Sequence, residues 1–343
     1  MPERRVTMAD VARRAGVSPT TASFALSGRT DMRISAASRE RVLEAARELG
    51  YRPNVTARSL RTKSTQTIGF VSDRITTTPF AGDVIRGAME AARERDNLLF
   101  ITEAGGDRAA ESSLVHALLD RQVDAVIYAS MFTRYVTPPK ELFGRRVVLL
   151  NCLADFDAPS VIPDELEAGR DAARALLGAG RTEGIWAIGG HQAIPATPEG
   201  IIAGNERMRG LQEVLRKGGA RLDGVIECNW DTLDGYREVS ALLAAGHRPR
   251  ALVCLNDRIS FGAYQALGEA GLSVPGDVSV VSFDDQDIAS VLRPALTTLK
   301  LPHYQLGRLA VELILGEGPL EAAVHRVPMP LQERASIGAP AGS

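Results

Sequence analysis

A chain of 343 residues with 45% hydrophobic residues and few aromatic ones is large enough for two or three folded domains. No apolar run approaches the ~20 residues of a membrane span, and the basic N-terminus lacks the apolar stretch of a secretion signal, so membrane and exported proteins are disfavoured. Cys152, Cys228 and Cys254 are odd in number and widely spaced, which predicts buried reduced thiols in a cytoplasmic protein with no metal or other cofactor.

The net charge of −2 is divided unevenly along the chain. Residues 1–63 carry 13 Arg and Lys against 6 Asp and Glu, a balance of +7, whereas the remainder carries 27 against 36, a balance of −9. A basic arm on an acidic body is typical of a protein that binds the DNA backbone at one end. A pair of solvated basic helices, as in many small bundles, is the alternative.

The first predicted elements are two short helices within Thr7–Ser27. Apolar residues recur on one face of the first helix as far as Ala15, and Gly16 ends it with the backbone freedom that a tight turn needs. Ser18 can cap a second helix with its side-chain oxygen, and Pro19 suits the first position of that helix. Two short helices joined by a glycine-containing turn predict a helix-turn-helix, whose second helix enters the major groove.

A third helix is predicted over Ser35–Leu49, and the composition changes after Gly50. Pro53 and Asn54 mark a stop and a new start, since Asn54 can cap a short helix that runs through Leu60. We expect this short segment to enter a minor groove. A short polar linker follows this segment.

From Ile68 onward, short apolar strands alternate with amphipathic helices. Such a pattern predicts parallel sheets covered on both faces. Eight units exceed one mononucleotide-type sheet, which favours two α/β lobes, although the count also permits a single eight-stranded barrel. The strands are predicted at Thr67–Val71, Leu98–Thr102, Ala125–Tyr128, Val147–Leu150, Gly184–Ile188, Gly224–Glu227, Ala251–Leu255 and Val278–Phe283. The helices are predicted at Asp83–Glu94, Glu165–Leu177, Glu206–Arg216, Thr232–Ala245 and Ile259–Glu269.

Polar residues and one large aromatic residue follow these strands. Because ligands of open α/β sheets bind beyond the carboxyl ends of the strands, this set predicts a cleft for a small polar molecule. Asp257 and Asp285 of this set, together with the nearby Asp287, stand just before helices and are also expected to be helix caps. The full set is Asp73, Asn151, Trp230, Asn256, Asp257, Asp284 and Asp285.

These features together resemble the lactose/galactose-repressor (LacI/GalR) family of bacterial transcription regulators. The resemblance extends from Thr7 to about Ser336. It is densest in the helix-turn-helix and in the segments Leu49–Asn54, Ala57–Leu60, Leu296–Pro302 and Leu306–Leu313.

The resemblance implies a homodimer whose body has two periplasmic-binding-protein-like lobes of parallel α/β structure, and this would exclude the barrel. Residues 1–62 would form an all-α helix-turn-helix domain with a hinge helix at about 54–61, and residues 65–340 an effector-binding and dimerisation domain. In that domain the near lobe would comprise about 65–161 and 291–322. The far lobe would comprise about 162–290 and 323–338, so that the chain crosses between the lobes three times.

The same resemblance implies contacts with a near-palindromic double-stranded DNA operator. Hydroxyl side chains near the start of the second helix can reach phosphates or base edges. Phe24 departs from the family, which often has an arginine there to read guanine, so Phe24 either meets a thymine methyl or joins the core. The candidate DNA-binding residues are Thr7, Ser18, Pro19, Thr20, Thr21, Ser23, Phe24, Asn54, Thr56, Ala57 and Leu60.

The segment through Leu60 would be the family's hinge helix. Six or seven residues are too few for a stable isolated helix in water, so it would fold only when two copies meet in the minor groove. Leu60 would then wedge between base pairs and bend the duplex, and Ala57 would let the helix sit close. An ordinary linker is the alternative.

For the effector, the resemblance places Arg207, Asp284, Asn256 and Trp230 in the far lobe, with Phe80 and Asn151 closing the site from the near lobe. The arginine could hold hydroxyls, a carboxylate or a phosphate. An aromatic face beside Asp, Asn and Arg favours a sugar or sugar derivative, with a purine or nucleoside as the alternative.

The sequence therefore predicts a repressor whose operator affinity is set by a small polar effector between two lobes, acting in the bacterial cytoplasm at the nucleoid with no membrane partner. An enzyme is the main rival, but the sequence lacks the phosphate-loop, dinucleotide and nucleophile-elbow motifs. A solute-binding transport component would need export, for which no signal is expected.

Overall fold

A computed structural model describes residues 6–26, 34–51, 64–76, 78, 82–190 and 201–339. The chain divides into two units, Met1–Thr65 and Gln66–Ser343. The sequence placed this boundary a few residues earlier, between residues 62 and 65.

The described part of the first unit is helical, and Gly16 and Ser18 have the roles that the sequence predicts for them. Thr7 Oγ1 accepts a hydrogen bond from the Asp10 backbone while the Asp10 carboxylate accepts one from Thr7 N, which closes a capping box. Gly16 ends the first helix with φ of 67°, and Ser18 Oγ accepts from Thr21 N at 3.1 Å. The helices are α1 (Met8–Ala15), α2 (Pro19–Leu26) and α3 (Ala36–Glu48).

Small side chains form the core of the first unit. Because most of them are alanines, the three helices approach closely and leave the larger polar side chains outside. Arg41 Nε also donates to the Ala15 carbonyl at 3.3 Å, which ties α3 to α1. The buried core residues are Val11, Ala12, Ala15, Ala22, Ala25, Val42, Ala45 and Ala46.

The second unit contains two six-stranded sheets rather than one closed barrel. The order in the first sheet is β11-β5-β4-β3-β1-β2, and in the second β12-β10-β9-β8-β6-β7. All pairings are parallel except that of β12 with β10. The strands are β1 (Thr67–Ser72), β2 (Leu98–Glu103), β3 (Ala125–Tyr135), β4 (Val147–Leu153), β5 (Ser160–Pro163), β6 (Ile185–Ile188), β7 (Leu222–Ile226), β8 (Ala251–Cys254), β9 (Ser279–Asp284), β10 (Thr297–Lys300), β11 (Val324–Val327) and β12 (Leu331–Gln332).

Helices cover these sheets, and each sheet with its helices forms one lobe around its own apolar core. Two α/β lobes with parallel sheets confirm the predicted fold class. The helices are α4 (Gly82–Glu94), α5 (Arg108–Asp120), α6 (Glu165–Gly178), α7 (Ala203–Lys217), α8 (Thr232–Ala244), α9 (Asp257–Glu269), α10 (Asp287–Val291) and α11 (His303–Ile314).

The chain crosses between the lobes three times, but two predicted boundaries are wrong. The near lobe was expected to resume at 291, yet β10 pairs with β9 in the far sheet, and the chain returns only at α11. The C-terminal segment from 323 was assigned to the far lobe, yet β11 pairs with β5 in the near sheet. These boundaries came from the family resemblance, and sheet membership depends on the partner strand rather than on local sequence.

Glycines set the closest approach between neighbouring helices. A Cβ at Gly169 of α6 would overlap the Arg207 carbonyl of α7, and one at Gly210 of α7 would overlap the Leu166 carbonyl of α6. The two helices therefore meet backbone to backbone. The same arrangement joins α4 to α11 and α8 to α9.

The three cysteines are free and buried, as predicted. Burial raises the pKa of Cys228 and of Cys254 to about 12 and raises that of Cys152 further. Within the described ranges, no cluster of three or more potential metal ligands is present. In that same part of the chain, every helix is too short or too polar to cross a bilayer.

Candidate functional site

A cavity of about 320 Å³ lies between the lobes of the second unit, at the carboxyl ends of strands from both sheets. Ligands of open parallel sheets are expected at these ends, where the strand order reverses. Five of the six predicted effector residues line it, namely Asn151, Arg207, Trp230, Asn256 and Asp284. The sixth, Phe80, lies outside the described residues. The role of all six in effector binding stays a prediction.

Arg207 is the centre of this cavity, and its side chain is only 2% exposed. Its Nε donates to Glu165 Oε2 at 2.6 Å, its Nη1 to the Leu255 carbonyl at 2.6 Å, and its Nη2 to Asp284 Oδ1 at 3.3 Å. Burial alone would lower the pKa of Arg207, but Glu165 and Asp284 raise it above its ordinary value. The guanidinium is therefore held as a buried cation.

Trp230 and Phe283 complete the surroundings of this cation. The Arg207 guanidinium carbon lies 5.4 Å from the centre of the Trp230 ring and 4.7 Å from that of Phe283. Both distances are within cation–π range. Trp230 Nε1 donates to the Gly189 carbonyl at 3.0 Å, so the indole is fixed in orientation.

Asp284 ends β9 in a backbone conformation that L-residues rarely adopt, with φ of 107°. Such strain persists where the surrounding structure holds it, as here through Arg207 and through Gln286 Nε2 at 3.2 Å. Burial raises the pKa of Asp284 to about 6. Burial and the neighbouring Asp284 raise the pKa of Asp257 to about 7.

Asn151 connects the near lobe to this cluster. Its amide nitrogen donates to the Ser130 and Met131 carbonyls, and its Oδ1 accepts from Thr133 Oγ1 at 2.7 Å. Thr133 Oγ1 also lies 3.3 Å from Glu165 Oε1. A continuous polar chain therefore runs from Asn151 in the near lobe to Asp284 in the far lobe.

Asn256 lines the cavity, but its amide has a structural role. Its Oδ1 caps α9 by accepting from Ile259 N at 2.9 Å, and its Nδ2 donates to the Trp230 carbonyl at 3.1 Å. The prediction that Asp257 is a cap is therefore wrong. Asp257 is fully buried at the first helical position and accepts from Thr298 Oγ1 and Gln286 N.

The other two predicted caps also differ. Asp285 binds Arg334 Nη2 at 2.6 Å, and Asp287 lies in the first turn of α10, whose N-cap residue is Gln286. Asp73 is buried against β3, where it binds Arg134 and the backbone of Met131. These carboxylates are held by partners from elsewhere in the fold, and a helix start alone does not reveal such partners.

Sequence reasoning missed Glu165 and Thr133. Glu165 begins α6, where an acidic residue is ordinary, and only its 2% exposure marks it as unusual. Thr133 lies beyond the predicted end of β3, which continues to Tyr135.

The predicted DNA-binding residues of the first unit surround the start of α2. Ser18, Pro19 and Thr20 are exposed, and Thr21, Ser23 and Phe24 are half-buried. Thr7 caps α1, as described above. The remaining four, Asn54, Thr56, Ala57 and Leu60, lie with the hinge segment outside the described residues. All eleven stay predictions.

Comparison with known proteins decides the family. Residues 65–333 match "Periplasmic binding proteins and sugar binding domain of LacI family", and residues 7–54 match "Bacterial regulatory proteins, lacI family". The chain belongs to the LacI family. This confirms the resemblance stated from the sequence.

Relatives of this LacI-family chain match it over nearly its whole length. The sucrose operon repressor of Escherichia coli is 34% identical, over 95% of this chain and 98% of the relative. The regulator CelR in complex with cellobiose is 27% identical with a TM-score of 0.66, over 97% of this chain and 100% of that structure. The lac repressor dimer bound to operator and anti-inducer is 24% identical with a TM-score of 0.77, over 98% and 100%, and shows the shared fold.

Proposed function

We propose that this chain is a DNA-binding transcriptional repressor whose operator affinity is set by a sugar bound between the two lobes of the second unit. The observation that carries the proposal is that one LacI-family chain has a helix-turn-helix unit and a buried cleft built around Arg207, Asp284 and Trp230. It acts through binding rather than through chemistry.

The surface of α2 supports DNA reading. Thr20 is exposed and Thr21 and Ser23 are half-buried at the N-terminal end of the helix, the end that meets base edges in helix-turn-helix proteins. Their short side chains combine a hydroxyl, for phosphates or base edges, with a threonine methyl for thymine. The excess of +7 charges over residues 1–63 supplies attraction to the duplex.

The chemistry of the cleft supports a sugar. A cavity of about 320 Å³ is within the range that small-molecule sites occupy. The Trp230 indole offers an apolar surface, and Asp284 and Arg207 offer an acceptor and donors for hydroxyl groups. Relatives named for sucrose and cellobiose fit this ligand class. A purine or nucleoside is the second candidate in the ligand screen below.

The outer edge of the near lobe supports a homodimer. Strand β2 is the last strand of its sheet, and its Leu98 and Phe100 are 65% and 37% exposed. Met89 of the adjacent helix α4 is 52% exposed. Natural proteins cover or blunt apolar edge strands, so we propose that a second copy covers this one.

The polar chain across the lobes provides a route for control. A sugar that binds Arg207 and Asp284 competes with bonds that reach Thr133 and Asn151 in the near lobe, and so changes the relative stability of lobe arrangements. Allosteric coupling of this kind is typically about 1–3 kcal/mol.

The test is selection of bound duplexes from a random DNA pool, followed by a screen of sugars and nucleosides for altered binding of the selected DNA. We expect a near-palindromic site and a sugar that changes its affinity. A folded protein that prefers no sequence over bulk competitor contradicts the proposal, and a response to nucleosides alone contradicts the assigned ligand class.

A further inference from the structure

An arginine at the base of a ligand cleft is usually read as an anion receptor, because its planar fork matches carboxylate and phosphate. In this chain the guanidinium of Arg207 already pairs with two carboxylates. Glu165 Oε2 accepts from Arg207 Nε at 2.6 Å and Asp284 Oδ1 accepts from Nη2 at 3.3 Å. Both carboxylates belong to the protein, so an incoming anion meets a guanidinium whose charge is already balanced.

We propose that Glu165 determines the charge class of the effector: by pairing with Arg207 it makes the cleft selective for uncharged polyhydroxyl ligands and excludes phosphorylated or carboxylated sugars. This inference rests on the proposed function, since it specifies the ligand of the same cleft.

The charges around the cavity support this selectivity. Two carboxyls, Glu165 with 2% and Asp284 with 10% of its side chain exposed, pair with the single guanidinium of Arg207. The net charge is −1 with both carboxyls ionised and zero with Asp284 protonated. An anion would lose its water shell against a neutral or negative wall, which is unfavourable in a site shielded from solvent.

The other charged residues of the lining do not reverse this balance. Asp231 and Arg258 are of opposite sign, and Arg258 is exposed at the rim. The lining also contains His303, which carries no formal charge at pH 7.

Arg207 still has capacity for a neutral ligand. A guanidinium has five N–H groups, and the three bonds to Glu165, Leu255 and Asp284 use three of them. Two remain for hydroxyl oxygens. Asp284 can accept from ligand hydroxyls in return, so the cluster can bind a sugar without a change of charge.

Glu165 is the determinant rather than Asp284 because of its position. Its bond to Arg207 is shorter by 0.7 Å. Its second oxygen lies 3.3 Å from Thr133 Oγ1 in the opposite lobe, so Glu165 is next to residues of both lobes. Close packing of α6 on α7 at Gly169 and Gly210 keeps the two side chains together.

The experiment titrates inorganic phosphate into the full-length protein at constant ionic strength, with binding measured by calorimetry. Glu165→Gln removes the charge and keeps an oxygen acceptor for Arg207. Glu167→Gln is the matched control, because Glu167 lies on the same helix, is 41% exposed and pairs with Arg170 and Arg174 on the surface.

We expect no saturable phosphate binding by the wild-type chain or by Glu167→Gln. Glu165→Gln should show saturable phosphate binding, at least about tenfold tighter than the weakest affinity that the titration can detect, since loss of one paired charge frees the guanidinium for an external anion. Adding Arg207→Ala to Glu165→Gln should remove the new binding. A gain in Glu165→Gln no larger than that in Glu167→Gln overturns the proposal.

A second measurement needs no variant at residue 165, in case Glu165→Gln does not fold. The wild-type chain and Arg207→Lys are titrated with ribose 5-phosphate and fructose 1-phosphate. If the wild-type chain binds either sugar phosphate and Arg207→Lys weakens that binding, the proposal is overturned. If the wild-type chain does not bind them, the proposal is supported. Neither titration involves DNA. If the protein selects no operator, the proposed function is contradicted, but the titrations still test the role of Glu165.

Discussion

The backbone at Gly169 lies against the carbonyl oxygen of Arg207, so closely that a methyl group at position 169 would overlap that oxygen. This contact sets the spacing of α6 and α7, and the spacing in turn brings the Glu165 carboxylate to the guanidinium. A residue without a functional group thus positions the charged pair of the cleft.

Gly169→Ala should destabilise the second unit and weaken effector binding. The added methyl must push the helices apart, and overpacking of this kind costs about 1–3 kcal/mol. Denaturant unfolding would measure the loss. The control is Gly178→Ala at the end of the same helix, where an added Cβ has open space, and we expect no loss of stability there. Equal stability of the two variants would contradict the close-packing role.

Arg207→Ala should abolish the response to the effector and leave the DNA-binding unit active. It also leaves Glu165 and Asp284 without a cation, and breaking a buried pair in this way costs about 3–5 kcal/mol. Operator binding with and without the effector, together with thermal unfolding, would test both effects.

Two further variants separate the loss of the effector response from a loss of stability. Arg207→Lys keeps the charge, so it should fold while losing most of the response. Arg209→Ala removes an arginine of the same helix that is 61% exposed, and it should respond normally. A normal response in either Arg207 variant would remove this residue from the site.

Stability should fall as pH rises through the range in which Asp257 ionises in the folded protein. Its pKa is raised from 3.8 to about 7, so between these values the folded state binds more protons than the unfolded state. The free energy of unfolding therefore decreases with rising pH in that window.

Asp257→Asn should make this decrease shallower but leave a remainder, because the pKa of Asp284 is raised to about 6 by its own burial. Denaturant unfolding from pH 5 to 8 would measure it. Asp287→Asn, at an exposed position of the neighbouring helix α10, is the control and should keep the wild-type slope. An unchanged slope in Asp257→Asn would refute the assignment.

Phe24→Arg should change the operator that the protein selects. An arginine on α2 can bond the two acceptors of a guanine, an interaction worth about 1–3 kcal/mol of discrimination. Selection from random duplexes should then enrich guanine at one position of each half-site. Leu43→Arg adds the same charge on α3, at a position 42% exposed, and should strengthen binding to all sequences alike. If Phe24→Arg melts the unit, the phenylalanine belongs to its core.

Leu60→Ala should weaken specific operator binding while the affinity for the effector stays unchanged. The wedge role proposed for Leu60 contributes only when DNA is bent, and the cleft lies in the other unit. Fluorescence anisotropy on operator and calorimetry with the effector would measure the two affinities. Leu43→Ala removes an exposed leucine of α3 and should affect neither. Equal loss of both affinities would contradict the wedge role.

Much of the fold could be predicted because local chemistry specifies it. The capping oxygen of Ser18 and the turn at Gly16 follow from the identity of each residue, and the structure shows both as expected. The eight predicted apolar strands each overlap an observed strand for the same reason. By contrast, β10 and β11 were assigned to the wrong lobes, because the assignment rested on the family resemblance and local sequence does not encode which strand another strand joins.

The sequence by itself determined a helix-turn-helix, two α/β lobes and the polar residues at their strand ends, since hydrophobic periodicity and turn chemistry act over a few neighbouring residues. Only the tertiary structure decided that Arg207 is neutralised by Glu165, 42 positions away, and that Asn256 is a helix cap. Such facts depend on which side chains distant segments bring within hydrogen-bond distance. Burial then makes each pairing strong enough to set the charge of the cleft.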